Sequence, residues 1–449
     1  MTINQTLKTE SGFVLHSIQR TTIILITGTL LGNVLSFIKS LIIAKYYGTS
    51  GELDAYFLSL APFELISGIL VGAVHAILVP RYLELLAKKG KPYAFAVFGT
   101  YALWLLFLVM IIALVFLIGS SLLASYLGTG FDAYRVDLTA ALLKISTFLL
   151  VLTVLNDTGV CLFHAHRQFT FPAFVPLLSA ILSLGYIVYF RSQGVFSLIY
   201  GLVVGMLLQT GVTLLATKRF FPEKVFLLPP FNPDSTRTLT LMLPLLNGSS
   251  FGHINVVVDQ ITASVLPAGS IAALNYANRL HSILTQMFIM VIARAVLPFF
   301  ARQVADNDIE ALKATFFLTI KRMLYVLLPM SVLILVLGKP MVQLVFQRGA
   351  FTASSTSATA GAWIAYTLGL PAQAVGILTA RIYNAFQDNK TLMYVAGGGM
   401  GVNIFLNWTF MHVWGHIGIA LSTSGVSWVT TAILLYRLRK KIHKRSYAK

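Results

Sequence analysis

The stretch "ALWLLFLVMIIALVFLIG", residues 102–119, decides the class of fold. It contains no charged residue, and its length is close to the roughly 20 apolar residues that an α-helix needs to cross a bilayer. The apolar residues are continuous and do not alternate with polar ones. The stretch therefore predicts a membrane-spanning helix and not a strand of a membrane β-barrel.

The rest of the chain has the same character. Its 449 residues are 57% hydrophobic and 11% charged, with one cysteine, Cys161. Soluble domains carry about 25% charged residues. A single cysteine excludes an internal disulfide framework. The sequence predicts an all-α polytopic membrane protein with about twelve spans, at residues 22–44, 54–80, 93–118, 138–156, 171–190, 196–217, 239–265, 270–299, 314–338, 361–385, 392–413 and 417–436.

The net charge of +18 indicates how the chain is oriented. Lys and Arg accumulate in the cytoplasmic loops of membrane proteins, and most of the 33 in this chain fall on one side of the predicted spans. We therefore expect both termini in the cytoplasm and no nucleic-acid partner. The expected segments are a cytoplasmic N-terminal segment 1–21, an N-lobe 22–217, a cytoplasmic linker 218–238, a C-lobe 239–436 and a basic tail 437–449.

The chain repeats itself weakly. "TSGELDAYFLSLAP" and "VGAVHAILVP", within residues 49–80, align with "PAGSIAALNYANRL" and "MVIARAVLP", within residues 267–298, at an offset of 218. This offset spans six helices, an even number, so the repeat predicts two parallel six-helix lobes. Transporters with such halves bind substrate between them and alternate access to the two sides.

Positive charges inside the apolar runs are the first candidate site. "GNVLSFIKSLIIAKYYG", residues 32–48, keeps Lys39 within a span, and Lys144 and Arg279 lie at similar depths. A charge at a helix centre costs at least about 2.5–3.5 kcal/mol, so such residues usually face a cavity or a partner. A shared cationic cavity would suit a phosphate headgroup, which Arg binds bidentately and Lys as a point charge.

Each of these cations has a structural alternative. Lys39 lies close enough to the interface to extend its ammonium group into water. Arg279 could form an internal salt bridge with Glu64 or Asp259. Glu64 is expected to be a charge partner of a cavity cation and not a general acid.

An oxygen-rich set is the second candidate site. Asn403 and Asn407 are four residues apart and share a helix face, and Asp259 and Thr423 lie in neighbouring spans. One carboxylate with several neutral oxygens suits Na⁺, or a proton carried on Asp259. The alternative is ordinary packing, because Asn and Thr also join membrane helices through hydrogen bonds.

Other motifs predict no chemistry. "AGGGMGVN", residues 396–403, lies inside a span with no preceding strand and no P-loop lysine, so it predicts close helix packing and not a nucleotide site. His75 is isolated within a span, and His164 lies in a loop without a matching set of ligands, so both are expected to be structural. No tightly bound cofactor is expected.

Four stretches carry a family resemblance: residues 35–80, "LPAGSIAALNYANRL" (266–280), "LVFQRGAFTASS" (344–355) and "YNAFQDNKTL" (383–392). Over residues 22–437 the chain resembles the MurJ (MviN) family of lipid II flippases, within the multidrug/oligosaccharidyl-lipid/polysaccharide (MOP) exporter superfamily. The resemblance implies a V-shaped pair of six-helix lobes in the bacterial cytoplasmic membrane. It also implies outward movement of an undecaprenyl-pyrophosphate-linked peptidoglycan precursor.

The resemblance also implies roles for single residues. Lys39 and Arg279 match family cations that hold the pyrophosphate, and Asp259, Asn403, Asn407 and Thr423 fall at the family's sodium site. Cation binding and the membrane potential would help to reset the carrier. The chain departs from the family at Asn33 and Ile66, where arginines are usual, and it has about twelve spans where the family typically has two more.

Other functions stay open. The sequence also fits a flippase for an O-antigen or exopolysaccharide precursor, and less well a cation-coupled multidrug exporter, because the predicted cavity is positive. A membrane-embedded glycan polymerase or ligase would need catalytic carboxylates in an outer loop. The leading expectation is a lipid-linked glycan flippase, a transporter and not an enzyme, acting as a monomer among anionic lipids, with Na⁺ or H⁺ as the coupling ion.

Overall fold

The computed structural model describes the backbone of residues 3–223 and 233–446, and the side chains of residues 24–25, 27–223, 233–234 and 251–443. The described backbone is helical and contains no strand. The helices are α1 (Ile3–Tyr47), α2 (Gly51–Ile118), α3 (Ser120–Leu127), α4 (Ala133–Ala165), α5 (Thr170–Tyr189), α6 (Phe196–Thr217), α7 (Pro233–Ser264), α8 (Ser270–Leu284), α9 (Val291–Ala305), α10 (Ile309–Phe346), α11 (Ala353–Thr367), α12 (Leu370–Ala385) and α13 (Asn389–Ser446).

These helices account for the predicted spans. Eight in the described part are long and apolar enough to cross a membrane, or nine if the bent pair α11 and α12 counts as one span. α2 and α13 each divide into two legs at a glycine with non-helical backbone angles, Gly90 and Gly415. Adding the second leg of α2, the second leg of α13 and the helix α7 to these nine gives twelve helical segments in the described backbone, the number that the sequence predicts. The predicted all-α polytopic class is confirmed, as expected where backbone groups can bond only within their own helix.

The chain folds into two compact units. The first contains residues 1–40, 66–120 and 141–246, and the second contains residues 41–65, 121–140 and 247–449. The sequence places the boundary at the linker, between residues 22–217 and 239–436. The observed units differ because two segments of the first half, 41–65 and 121–140, pack with the second half. The hydrogen bonds responsible are described below.

Small residues bring the helices of the first unit close together. A Cβ atom on Gly205 of α6 would lie 2.6 Å from the carbonyl oxygen of Ser179 in α5. A Cβ atom on Gly28 of α1 would lie 2.7 Å from the carbonyl oxygen of Ala173, also in α5. Such contacts are typical of membrane helices, which gain from close backbone approach and not from a hydrophobic driving force.

A charged network joins the start of α7 to α2 within the first unit. Asp234 accepts hydrogen bonds from Arg81 at 2.6 Å, from Lys89 at 2.8 Å and from the Tyr93 hydroxyl at 2.7 Å. The hydrogen bonds from Lys89 and Tyr93 hold the pKa of Asp234 below its usual value. This network holds the first turn of α7 against the cationic bend of α2.

The second unit has a core built from α8 to α13. Phe300, Leu312, Leu327, Leu370 and Leu378 are fully buried there. A π-helical turn, Thr285–Met290, joins α8 to α9. Such turns are rare and frequently mark functional positions. Here the turn follows the helix that carries Arg279.

Candidate functional site

Four polar side chains of the second unit converge near the C-terminal end of α7. Asn407 Nδ2 donates to Asp259 Oδ1 at 2.6 Å and to Asn403 Oδ1 at 3.2 Å. Thr423 Oγ1 lies 3.4 Å from Asp259 Oδ2. The structure therefore brings together the whole oxygen-rich set of the sequence analysis, from α7 and both legs of α13.

The chemistry of this set fits a small hard cation. Asn403 and Asn407 are 2% and 1% exposed, and Asn407 Oδ1 is buried without a hydrogen-bond partner among the described residues. A buried acceptor left unsatisfied costs about 1–3 kcal/mol, which a cation ligand would offset. The described residues contain no group of three or more His, Cys, Asp and Glu side chains placed to hold a metal. The oxygens of Asp259, Asn403, Asn407 and Thr423 would hold Na⁺ by charge and by oxygen coordination.

Arg279 projects from α8 and is partly buried. Its Nε is buried and has no hydrogen-bond partner among the described residues. Among these residues no ion pair includes Arg279, so the internal salt bridge considered from the sequence is not formed. A guanidinium with unused donors in a membrane helix is equipped to bind an anion.

Lys39 and Lys144 occupy different environments in the first unit. Lys39 is half-buried, and its Nζ donates to Ser183 Oγ on α5 at 3.2 Å, so the side chain turns toward the interior of the unit. Lys144 is exposed and lies one turn from Phe148, which is 60% exposed. The side chain of Lys144 is therefore open to its surroundings.

The predicted cationic site has members in both units. Lys39 and Lys144 belong to the first unit, whereas Arg279 and its suggested partner Glu64 belong to the second. Glu64 is exposed on α2. It stays a prediction that Lys39 and Arg279 bind the same substrate.

A carboxylate from α2 caps the N-terminus of α8. Asp54 is 1% exposed, and its two oxygens accept from the backbone N–H of Gly269 at 2.5 Å and of Ala272 at 2.7 Å. These two carboxyl oxygens satisfy orphan donors at the start of the helix. Gly269 has φ +92°, and a Cβ atom there would lie 2.4 Å from the Thr49 carbonyl oxygen, so glycine is required. We call Asp54, Gly269 and Ala272 the α8 latch.

Further bonds of the second unit surround the α8 latch. The Tyr276 hydroxyl donates to the Gly48 carbonyl at 3.1 Å, and Ala350 N–H donates to the Lys45 carbonyl at 2.8 Å. Gly349 has φ +60° beside the same Lys45 carbonyl. These contacts attach the junction of α1 and α2 to α8 and to the loop before α11. They explain why residues 41–65 belong to the second unit.

A family model described as "Lipid II flippase MurJ" matches residues 43–448. The chain belongs to the MurJ family. A probable lipid II flippase MurJ of Vibrio cholerae is 28% identical over 428 residues, which is 91% of this chain and 80% of that protein. The lipid II flippase MurJ of Burkholderia cenocepacia is 24% identical over 427 residues, which is 92% of this chain and 82% of that protein.

Solved structures agree with membership of the MurJ family. A lipid II flippase MurJ in an inward closed conformation superposes with a TM-score of 0.82 at 25% identity, covering 95% of this chain and 90% of that one. An inward-facing multidrug transporter of the MATE family gives a TM-score of 0.78 at 14% identity, covering 95% and 99%. The second likeness shows the shared MOP fold alone. The predicted resemblance is confirmed, and with it the prediction of a multi-pass membrane transporter.

The MurJ-family stretch 266–280 forms the start of α8. It contains the turn at Gly269 and the first turns of the helix, and Arg279 lies near its end. The α8 latch was not among the residues that the sequence singled out. The internal repeat held a signal for it, because Asp54 aligns with Ala272 at the offset of 218 and bonds to the amide of that residue.

The sequence analysis of this MurJ-family chain also missed a cluster in the first unit. His75 and His164 were expected to be separate structural residues, yet their rings lie 5.3 Å apart and His75 lies beside Asp157. The expectation that His75 is isolated is wrong. The cause is that α2 and α4 bring together residues that are far apart in sequence.

Proposed function

We propose that this chain is a lipid II flippase, which moves the pyrophosphate-linked peptidoglycan precursor from the inner to the outer leaflet. Membership of the MurJ family supports the substrate class. The observation that carries the proposal is Arg279, whose buried Nε has no partner among the described residues. A guanidinium group with no counter-charge among the described residues is suited to bind a polyanionic headgroup.

We expect Arg279 and Lys39 to bind the pyrophosphate in different ways. Arg279 supplies a planar donor fork, which matches two phosphate oxygens at once. Lys39 supplies a compact charge that Ser183 holds in place. Lys144, which is exposed on α4, would add a third positive charge for the headgroup. The carboxylate of Glu64 would offset part of the positive charge of these cations while no substrate is bound.

We propose that the α8 latch opens and closes during transport. Its bonds hold a segment from the first half of the chain against the second half, within the second unit. A helix cap contributes about 0.5–2 kcal/mol, which is small enough for substrate and cation binding to reverse it.

We expect Na⁺ to bind at Asp259, and Asp259→Asn to weaken that binding at least about tenfold. The substitution removes the one negative charge of the oxygen set but retains its shape, and a hydrogen bond or contact to a charged group contributes about 1.5–3 kcal/mol. Thermal stability of the purified protein, measured against NaCl and against choline chloride, would report the binding. Asp132→Asn, at an exposed carboxylate paired with Arg135, is the control. Equal Na⁺ stabilisation of wild type and Asp259→Asn would contradict the assignment.

We propose that both termini lie in the cytoplasm. The basic residues support this orientation, because the tail "RLRKKIHKRSYAK" and the loops on the same side carry most of the 33 Lys and Arg. Reporter fusions at the C-terminus and at Gly128 of the loop before α4 should give opposite compartments. The same compartment for both would contradict this topology.

Anionic phospholipids are the proposed annular partners of the C-terminal region. α10, α12 and α13 enclose a cavity of about 530 Å³ with apolar walls, including Phe316 and Leu438, and with Lys313, Arg439 and His443 in its lining. Basic pockets between helices near the cytoplasmic surface are suited to anionic headgroups. We expect the double substitution Lys313→Gln, Arg439→Gln to lower retention of phosphatidylglycerol in native mass spectra at least about threefold relative to phosphatidylethanolamine. Unchanged retention would contradict this site.

Reconstitution tests the proposed function directly. Purified protein in liposomes with fluorescent lipid II should make the label on the inner leaflet accessible to an outside quencher, and unlabelled lipid II should compete. A matched polyprenyl-pyrophosphate carrying an O-antigen unit serves as the alternative substrate. Movement of the O-antigen lipid without movement of lipid II would overturn the proposal in favour of another glycan.

A further inference from the structure

A second polar cluster lies within the first unit. His75 Nε2 of α2 is 3.7 Å from Asp157 Oδ1 of α4. His75 Nδ1 is 3.6 Å from Cys161 Sγ, and the rings of His75 and His164 are 5.3 Å apart. An ionisable side chain inside a membrane helix is expensive and usually functional. Here four ionisable side chains meet across two helices.

The cluster borders a half-open cavity of about 430 Å³. The side chains of His75 and Asp157 are 27% and 20% exposed, so they are partly open to this space. The cavity wall is completed by α1, α5 and α6 and includes hydroxyl and amide groups that can order water, from Thr29, Asn33, Asn156, Gln209 and Thr213. A histidine–carboxylate pair beside a polar cavity has both an acceptor for a proton and a route for it.

The titratable groups around His75 come from one neighbouring helix. Asp157, Cys161 and His164 all belong to α4. The described wall residues of α1, α5 and α6 contribute no acid or base to this cavity. In the described part of the chain these groups do not form a metal-binding set. The ligand that fits a histidine facing one carboxylate is therefore a proton.

We propose that His75, Asp157 and His164 form a proton-binding site, and that a proton bound there is carried through the transport cycle. A hydronium ion that reaches the cavity gives its proton to the imidazole of His75, with the Asp157 carboxylate as counter-ion and His164 as the adjacent relay. One O–H bond breaks, one N–H bond forms, and a neutral water molecule remains in the cavity. Uptake changes the cluster from a net charge of −1 to a neutral imidazolium–carboxylate pair, and release restores it. The transport part rests on the proposed function, whereas the binding part does not.

Histidine NMR tests the binding part without any lipid substrate. The protein is labelled on its histidine rings, placed in nanodiscs and titrated from pH 5 to 8.5, with His75→Gln and His164→Gln used to assign the signals. We expect His75 to titrate in this range, and its midpoint to move by at least half a pH unit in Asp157→Asn. Asp132→Asn, at a carboxylate in the other unit, should leave it in place. A His75 signal that does not titrate, or one unaffected by Asp157→Asn, would overturn the proposal.

Transport under an imposed pH gradient tests the coupling. We expect the gradient to change the rate of lipid II movement at least threefold in wild type, and Asp157→Asn to abolish this response. Asp132→Asn, at an exposed carboxylate outside the cluster, should keep both the rate without a gradient and the response. An equal response in wild type and Asp157→Asn would overturn the coupling. Absence of lipid II movement in wild type, with the NMR result intact, would refute the flippase proposal and leave the proton site standing.

Discussion

Arg279→Ala is expected to reduce lipid II movement at least about tenfold while the protein still folds and inserts. The side chain is partly buried, its Nε has no partner among the described residues, and no ion pair there depends on it. Its removal should therefore leave no buried negative charge without a partner. Hydrogen bonds to charged groups contribute about 1.5–3 kcal/mol, which sets the expected loss. The measurement is the initial rate of fluorescent lipid II movement in proteoliposomes.

Two matched variants separate binding geometry from charge. Arg279→Lys keeps the charge but loses the bidentate fork, so we expect an intermediate rate. Arg302→Ala, at an 86% exposed side chain on α9, removes an arginine of the same unit and should leave the rate unchanged. A normal rate for Arg279→Ala would exclude the phosphate role. An equal loss in Arg302→Ala would show that any lost arginine impairs the protein.

Asp54→Ala is expected to loosen the first turns of α8, which the α8 latch holds against α2. The substitution removes both acceptors of the Gly269 and Ala272 amides, and loss of a cap costs about 0.5–2 kcal/mol. A change of 1–2 kcal/mol shifts a two-state population by about 5–30-fold. Because we propose that the α8 latch forms again in each transport cycle, transport should fall as well.

Thiol labelling measures the opening. Ala273, fully buried on α8, is replaced by cysteine in a Cys161→Ala background. We expect Asp54→Ala to raise its modification rate by about 5–30-fold. Glu52→Ala is the control, because Glu52 lies on the same turn of α2 but bonds to Tyr134 and not to α8. An unchanged rate in Asp54→Ala would show that the latch does not control access.

The sequence predicted those features that depend on local periodicity. Apolar runs such as residues 102–119 predicted the helices, because a segment that crosses a bilayer has few conformations other than a helix that satisfy its backbone hydrogen bonds. The grouping of the oxygen-rich set was predictable in part from the spacing of Asn403 and Asn407, which places both on one helix face, with Asp259 and Thr423 in neighbouring helices. That this set binds a cation stays a prediction. The structure adds the unsatisfied Asn407 oxygen, which no spacing rule reveals.

Features that depend on distant contacts were not predictable. Asp54 and Ala272 are 218 residues apart, and an acidic residue at the start of a helix usually caps its own helix. The partnership of His75 with Asp157 depends on how α2 packs on α4. Lys144 was judged by depth alone, and its exposure depends on how α4 packs against the neighbouring helices.

Complementation is the most direct test of the account. A bacterial host is depleted of its own lipid II flippase while this chain is expressed, with its amount in the membrane measured. The account predicts that growth is rescued, that rescue is lost in Arg279→Ala, and that it is retained in Arg302→Ala. Absence of rescue with the wild-type protein present in the membrane, or full rescue by Arg279→Ala, would contradict the claim that this chain moves lipid II through a phosphate-binding arginine.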